Sequence, residues 1–314
     1  MKRRTFRVEG ALVGKAVARA VADELGLPEP GARGLVEVGA VYVAGKRSRD
    51  ANARLTAGQV VTVVLEEGGQ SPLSEAPPVP ELRVLYEDAD VIAVDKPAGV
   101  SAQPTEGRVG DSLVDLVGAK LGRPAGLVHR LDRETSGVTV FGKTAEATSA
   151  LAAEFREGRA RKRYVAATGP GLPPSGTVDL PLSKDPSRPG RWRATRAANG
   201  VPALTDFHTL SSGPAFCVVE LLPHTGRTHQ LRAHLTALGA PILGDARYGG
   251  AARAEGVEAA RCLLHAQALE LGHPRTGTLL RIEAPVPEDL MRFFLAAGVP
   301  APSGAIRGAG SGAE

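Results

Sequence analysis

The chain has 314 residues, 43% of them hydrophobic, and a formal net charge of +4. That composition supports a real core and excludes a disordered chain, and the length suggests two domains. Two cysteines, Cys217 and Cys262, exclude a disulfide framework and fit a reducing compartment, and no apolar run is long enough to span a bilayer.

The N-terminal stretch MKRRTFRVEGALVGKAVARAVADELG begins basic, but Glu9, Lys15 and Arg19 break its apolar part. It makes a poor signal peptide and reads as a plain first helix. Ala16, Val17, Ala20 and Val21 form a helical stripe over residues 15–26, which Gly26 and Pro28 stop. A second short helix is read over Ala32–Val38. Val41 and Val43 alternate in VGAVYVAGKR, and Val60–Leu65 forms another strand. Residues 1–66 thus read as a small helix–helix–strand–strand module. Residues 67–80, rich in Gly, Pro and Ser, read as a linker. From Leu82, LRVLYEDADVIAVDKPAGV sets two apolar runs around the acidic turn Glu87–Asp90, a hairpin signal.

LVHRLDRETSG, Leu127–Gly137, packs a His, two Arg, an Asp and a Glu between two apolar runs. Charge gathered in a turn between strands is where a scaffold holds reactive groups. Asp132 can act there as nucleophile, general base, metal ligand or ion-pair partner. The plainer reading of the stretch alone is a solvated loop with an Arg–Asp pair. After a helix over Thr144–Phe155 comes REGRARKRYVAAT, in which Arg156, Arg159, Arg161, Lys162 and Arg163 precede Tyr164. A basic run ending in an aromatic suits phosphate contact plus base stacking, and equally suits a solvated helix end. SKDPSRPGRWRATR surrounds Trp192, the only Trp, with Lys184, Arg188, Arg191, Arg193 and Arg196. It reads as a nucleic-acid-facing loop or as a loop with Trp192 folded onto the body.

In LLPHTGRTHQLRAHLTALGAPILGDARYG, a strand over Val218–Leu222 leads through Thr225-Gly226-Arg227 into a helix over Thr228–Leu238. Arg227, Thr228, His229 and Arg232 fall in that turn and the first helical turns, where backbone N–H groups favour anions. His224, His229 and His234 recur every five residues, which rotates around a helix and argues against a metal site. Neither GxSxG, a Walker A sequence nor a strand-following GxGxxG occurs, so the nucleophile-elbow and nucleotide-binding readings have no support.

These segments together resemble the RluA-type family of RNA pseudouridine synthases. HRLDRETSG resembles its catalytic motif, LYEDADVIAVDKPAGVSAQP its opening hairpin, RKRYVAATGP the stretch with its active-site Tyr, and HTGRTHQLRAHLTALGAPILGDARYG its third motif. GTVDLPLSKDPS, NGVPALTDFHTL and LLHAQALELGHPRTGTLLRIEAPVP resemble its central and closing strands. The likeness runs in order over residues 81–290. GARGLVEVGAVYVAGKR is similar to the core of the S4 RNA-binding domain, although Ala32 replaces the usual small polar residue and the early Arg-Leu-Asp signature is absent.

The resemblance implies an α+β fold: a catalytic domain over residues 81–302 with a bent, mainly antiparallel mixed sheet, preceded by a small S4-like α+β domain and followed by a flexible tail over 303–314. It implies RNA pseudouridine synthase activity without metal, nucleotide or other cofactor. Asp132 matches the nucleophile, Tyr164 the Tyr that packs on the target base and helps remove the C5 proton, and Arg232 the Arg that pairs with the catalytic carboxylate. Arg130 matches the Arg that enters the RNA in place of the displaced nucleotide. Arg33, Arg159, Arg161, Lys162, Arg191, Trp192 and Arg227 are the further candidates for RNA contact. Large-subunit ribosomal RNA is the expected target and tRNA the alternative, for a cytoplasmic monomer without membrane attachment. Two other classes stay open: an RNA-binding or ribosome-assembly factor with lost catalysis, and a hydrolase using Ser136 or Cys262.

Overall fold

The computed structural model describes residues 2–37, 39–65, 82–104, 111–197, 199–304 and 306. The chain divides into two compact units, Met1–Glu81 with Gln103–Gly122 and Leu82–Ala102 with Arg123–Glu314. The expected linker over 67–80 lies outside the described residues.

The first unit contains β1 (Lys2–Arg7), α1 (Val17–Leu25), α2 (Glu29–Glu37), β2 (Val41–Val43), β3 (Lys46–Ser48) and β4 (Val60–Leu65). Its strands form one antiparallel sheet in the order β1-β4-β2-β3. The apolar stripe of α1 is buried with Leu35, Val36, Val41, Leu55, Val61 and Val63, as helical periodicity requires. Gly26 ends α1 in the left-handed conformation. The strand β1 was not expected. KRRTFR carries no apolar alternation, and its extended form comes from full pairing with β4, Lys2 opposite Leu65 through Arg7 opposite Val60. The same unit includes α3 (Leu113–Leu121), also unforeseen, which starts on a reciprocal Ser112–Asp115 capping box.

The second unit is built around a ten-stranded sheet. β5 (Arg83–Glu87) and β6 (Val91–Lys96) form the hairpin expected from the sequence. There follow β7 (Gly126–Leu127), β8 (Ser136–Gly142), α4 (Ala145–Arg156), β9 (Arg161–Thr168), β10 (Ser175–Asp179), β11 (Leu182–Lys184), β12 (Trp192–Ala194), β13 (Leu204–Ser212), β14 (Cys217–Pro223) and α5 (Gln230–Ala237). The last elements are β15 (Arg253–Ala254), β16 (Val257–Glu258), β17 (Leu264–Gly272), β18 (Leu279–Glu283) and α6 (Glu288–Ala296). The main sheet runs β10-β13-β14-β9-β17-β8-β6-β5, with β7 added to β8 and β18 to β17. Its pairs are antiparallel except β8 with β17. The fold is therefore α+β with a mainly antiparallel mixed sheet. β11 and β12 form a separate hairpin, as do β15 and β16.

The central strands are buried almost throughout: β8 reads as a largely apolar or small run, whereas β17 also buries the polar His265, Gln267 and Glu270. Val165, Ala167, Val219, Leu221, Leu235, Ile242, Leu264 and Phe293 belong to the largest core cluster. At the β5–β6 turn, Asp88 accepts from Tyr86 Oη (2.6 Å) and pairs with His273 Nε2 (2.8 Å), while Asp90 takes Arg275 at 2.7 and 2.5 Å. This ties the hairpin to the β17–β18 turn.

The C-terminal stretch expected to be flexible is anchored at its start. Gly304 N–H donates to Glu283 (3.1 Å), Ile306 N–H donates to Glu270 (2.9 Å), and the Ile306 side chain is buried beside Leu222 and Ala268. Residues 307–314 lie outside the described residues.

Candidate active site

The charged stretch 127–137 links the end of β7 to the start of β8. Its His129 is an anchor: Nε2 accepts the Val140 N–H (3.1 Å) and the ring stacks on Phe155 with centroids 4.4 Å apart. Burial, helped by the Lys162 charge, pushes the His129 pKa down to about 3, so the ring stays neutral and keeps that acceptor. Thr135 N–H closes a turn on the Asp132 carbonyl (3.1 Å). Gly137 sits at φ 117°, and a Cβ there would lie 2.2 Å from the Ala266 carbonyl oxygen. Glycine is what allows β8 to pair with β17 at this point.

A second anchor comes from β6. Lys96 is wholly buried and donates to the carbonyls of Pro97 (2.9 Å), Val100 (2.7 Å) and Arg133 (3.1 Å). Arg133 also exchanges bonds with Gly99, N–H to O at 2.8 Å and Nε to O at 2.9 Å. The loop bearing Asp132 is thus held to the turn after β6. Burial pushes the Lys96 pKa down to about 7, against the opposing charges of Glu134 and Asp132.

Asp132 keeps a quarter of its side chain exposed. Its Oδ2 lies 3.3 Å from Arg232 Nη1 and 3.9 Å from His229 Nε2. Arg232, on α5, is 6% exposed and gives its stronger bonds elsewhere: Nε and Nη2 donate to Asp245 at 2.6 and 2.8 Å. Burial would lower the Arg232 pKa, but the Asp245 hydrogen bonds and charge, with Asp132 behind them, raise it. The result is a fixed cation with one fork on a buried carboxylate and one N–H turned to an accessible carboxylate.

Tyr164 lies on β9 opposite Ala266, which in turn pairs with Gly137. The Asp132 loop and Tyr164 therefore belong to strands on either side of β17, at one level of the sheet. Burial and then the Asp132 charge raise the Tyr164 pKa above the usual phenol range. The phenol keeps its proton, which suits packing and hydrogen donation better than proton removal.

The candidates for RNA contact do not form one patch. Arg130 and Arg227 are exposed, and Arg227 Nε donates to the Pro202 carbonyl (3.0 Å). Along β9 side chains alternate, so Lys162 shares a face with Tyr164 while Arg161 and Arg163 point the other way. Arg161 pairs with Glu270 (3.5 Å) and the Ile306 carbonyl, and Arg159 pairs with Glu154 (2.6 Å) and Glu157. Lys162 Nζ lies 3.3 Å from the Thr225 carbonyl, and burial, with the Arg227 charge, pushes its pKa down to about 8. Arg191 is turned inward, 3.7 Å from Asp185 and over the Tyr248 ring. Trp192 is half-buried against Leu182, Ala203, Ala233 and Tyr248. In the first unit, Arg33 on α2 donates to Asn52 (3.1 Å).

The hydrolase residues are closed off. Ser136 Oγ meets His265 Nδ1 at 2.9 Å, both buried, and burial pushes the His265 pKa down to about 4. Burial, then the Asp245 charge, raises the Cys262 pKa, so the thiol is not a ready nucleophile. Three residues of the site were not singled out in the sequence: Lys96, Asp245 and Tyr248. The signal for each was its place in a family-like motif: Lys96 in the Lys-Pro-x-Gly turn of the opening hairpin, and Asp245 and Tyr248 in GDARYG.

Residues 90–237 match the RNA pseudouridylate synthase family. An uncharacterized RNA pseudouridine synthase of Mycobacterium bovis is 35% identical over 92% of this chain and 96% of its own length. A ribosomal large subunit pseudouridine synthase D of Xanthomonas campestris is 36% identical over 75% of this chain and 74% of its own. Among solved structures, human RNA pseudouridylate synthase domain containing 4 superimposes with a TM-score of 0.58 at 28% identity, covering 70% of this chain and 95% of that one. Given this extended similarity across nearly the whole length, the chain belongs to the RNA pseudouridine synthase family and is an isomerase acting on RNA.

Proposed function

We propose that the protein isomerises specific uridines of large-subunit ribosomal RNA, with Asp132 as nucleophile. The observation that carries this is the Asp132–Arg232 pair at 3.3 Å, with the carboxylate left accessible while its cation is locked to Asp245. A carboxylate so held can attack the ribose of a flipped nucleotide without losing its orientation. A C1′–Oδ bond to Asp132 forms as the C1′–N1 bond breaks, the uracil turns, and C5 bonds to C1′ as the bond to Asp132 breaks and the carboxylate is regenerated. The C5 proton leaves and N1 takes up a proton, so the reaction is balanced without an oxidant. Tyr164 is assigned the face of the turning base, and Arg130 the gap left in the RNA. Extruding a base costs a few kcal/mol, least for one already unpaired.

Lys162 and Arg227 supply phosphate contacts on the Tyr164 side, and the first unit, with Arg33, acts as an S4-like RNA anchor. The relatives named for the large ribosomal subunit support ribosomal RNA over tRNA as the target. Among the described residues no helix is long and apolar enough to cross a membrane. We assign the protein to the cytoplasm, where that RNA is made, as a monomer.

The test uses RNA labelled with tritium at uridine C5, which is released to water on turnover. Asp132→Asn is expected to release none while binding RNA within about threefold of wild type, because the variant keeps shape and hydrogen bonding but loses the nucleophilic charge. Loss of both binding and release would instead point to a role for Asp132 in docking. A catalytically silent RNA-binding factor predicts no release from wild type either.

A further inference from the structure

Tyr248 links the hairpin β11–β12 to the catalytic pair. Tyr248 is 3% exposed, and its ring lies 4.8 Å from the guanidinium carbon of Arg232 and 4.8 Å from that of Arg191. Asp185 stands 3.7 Å from Arg191, and Asp245 holds Arg232. Carboxylate, guanidinium, ring, guanidinium and carboxylate thus follow one another from the hairpin to the active site. A ring quadrupole attracts each cation.

The Tyr248 hydroxyl makes a second set of links. It lies 3.0 Å from the Trp192 N–H, 2.9 Å from the Trp192 carbonyl and 3.0 Å from His229 Nδ1. A hydroxyl has one proton and two lone pairs. The carbonyl can only accept, so it takes the hydroxyl proton, and Trp192 N–H donates to one lone pair. His229 Nδ1–H must donate to the other. This places a proton on His229 Nδ1 and leaves Nε2 on the Asp132 side, 3.9 Å from Oδ2. His229 also adopts a left-handed backbone (φ 56°) as the residue before α5.

We infer that Tyr248 is a positioning residue for the isomerisation: it orients Arg232 by its ring and His229 by its hydroxyl, and makes the Arg232–Asp132 geometry depend on the docked β11–β12 hairpin. The inference rests on the reading of Asp132 and Arg232 given above. Arg191 acts here through Tyr248 rather than by touching RNA.

The test is a double-mutant cycle on the single-turnover rate, with RNA affinity measured in parallel. Arg191→Ala and Tyr248→Leu each slow the step, by about 10-fold and about 100-fold, the second being the loss expected for roughly 1 Å of misplacement. Combined, they slow it no more than Tyr248→Leu alone, within twofold, because the column is already broken. RNA affinity stays within about threefold throughout. If the two losses multiply, Arg191 does not act through Tyr248 and the inference fails. Tyr248→Phe keeps the stack and the fold and removes only the hydroxyl. It is expected to slow the step about 10-fold at unchanged affinity, and an unchanged rate overturns the role given to the hydroxyl. Asp132→Asn is run alongside: product from it would defeat the Asp132 reading, whereas multiplying losses with Asp132→Asn silent defeat only the role of Tyr248.

Discussion

Replacing Asp245 by Asn removes one charge and leaves the shape of the site intact. In the wild type, Arg232 Nε and Nη2 both end on this carboxylate at 2.6 and 2.8 Å, in a place where Asp245 is 2% and Arg232 6% exposed. Breaking a buried pair by removing one partner costs about 3–5 kcal/mol, because the remaining charge has lost its compensation. Asn retains one acceptor oxygen, and Asp132 still faces Nη1, so the lower end, about 3 kcal/mol, is expected. For a unit of this size that is a fall of roughly 6–12 °C in Tm. Asp245 also accepts the Tyr248 N–H (3.3 Å), so the variant loosens both supports of the active-site cation. With Arg232 free to shift toward Asp132, the single-turnover rate is expected to fall roughly 10- to 100-fold. Calorimetry and the tritium-release assay measure the two effects. A variant within about 2 °C and twofold of wild type would refute the claim that Asp245 holds Arg232 in place.

Three further outcomes are expected. Lys96→Met leaves three carbonyls without their donor and should destabilise the unit by about 3 kcal/mol or more. Because the folded-state Lys96 pKa is lowered to about 7 from 10.5, the unfolded chain binds the extra proton between those values. Wild-type stability relative to Lys96→Met should therefore rise from pH 7 to 10, and urea midpoints that stay parallel would contradict it. Lys162 is charged below about pH 8, so RNA affinity should weaken severalfold from pH 7 to 9 in wild type and stay level in Lys162→Met. Arg159→Ala with Arg161→Ala should leave RNA affinity within twofold and the salt slope unchanged, since both side chains are engaged with carboxylates, whereas Lys162→Ala should weaken binding. A steep loss in the double variant would restore the basic run as an RNA surface.

Much of the framework was legible because it is local. The apolar runs around Glu87–Asp90 and at Val60–Leu65 become β5–β6 and β4, and the helix read over Thr144–Phe155 becomes α4, with Thr144 as its N-cap. The rest is non-local or carries only a faint local signal. α3 carries its signal in Ser112 and Asp115, a capping box without an apolar stripe as clear as that of α1. β1 has no apolar pattern and exists through its partner β4. Lys96 reads as a surface residue by type, and only the fold shows the three carbonyls around it.

The basic segments show the limit of composition in another way. A run of Arg and Lys near an aromatic looks the same whether it faces solvent or its own carboxylates. Here Arg191 and Trp192 fold inward onto Tyr248, and Arg161 and Arg163 point away from Tyr164. The Asp132–Arg232 pair spans 100 residues, and only the likeness to a family linked the two in advance. Asp245, which holds that Arg, had no signal of its own beyond lying in the same motif.

The central claim is that this chain makes pseudouridine in ribosomal RNA through Asp132. The most direct measurement maps pseudouridine after purified protein acts on unmodified ribosomal RNA and, separately, on unmodified tRNA, with Asp132→Asn beside it. The account predicts product at defined large-subunit positions with wild type and none with the variant. Product from Asp132→Asn, or product confined to tRNA, would contradict it.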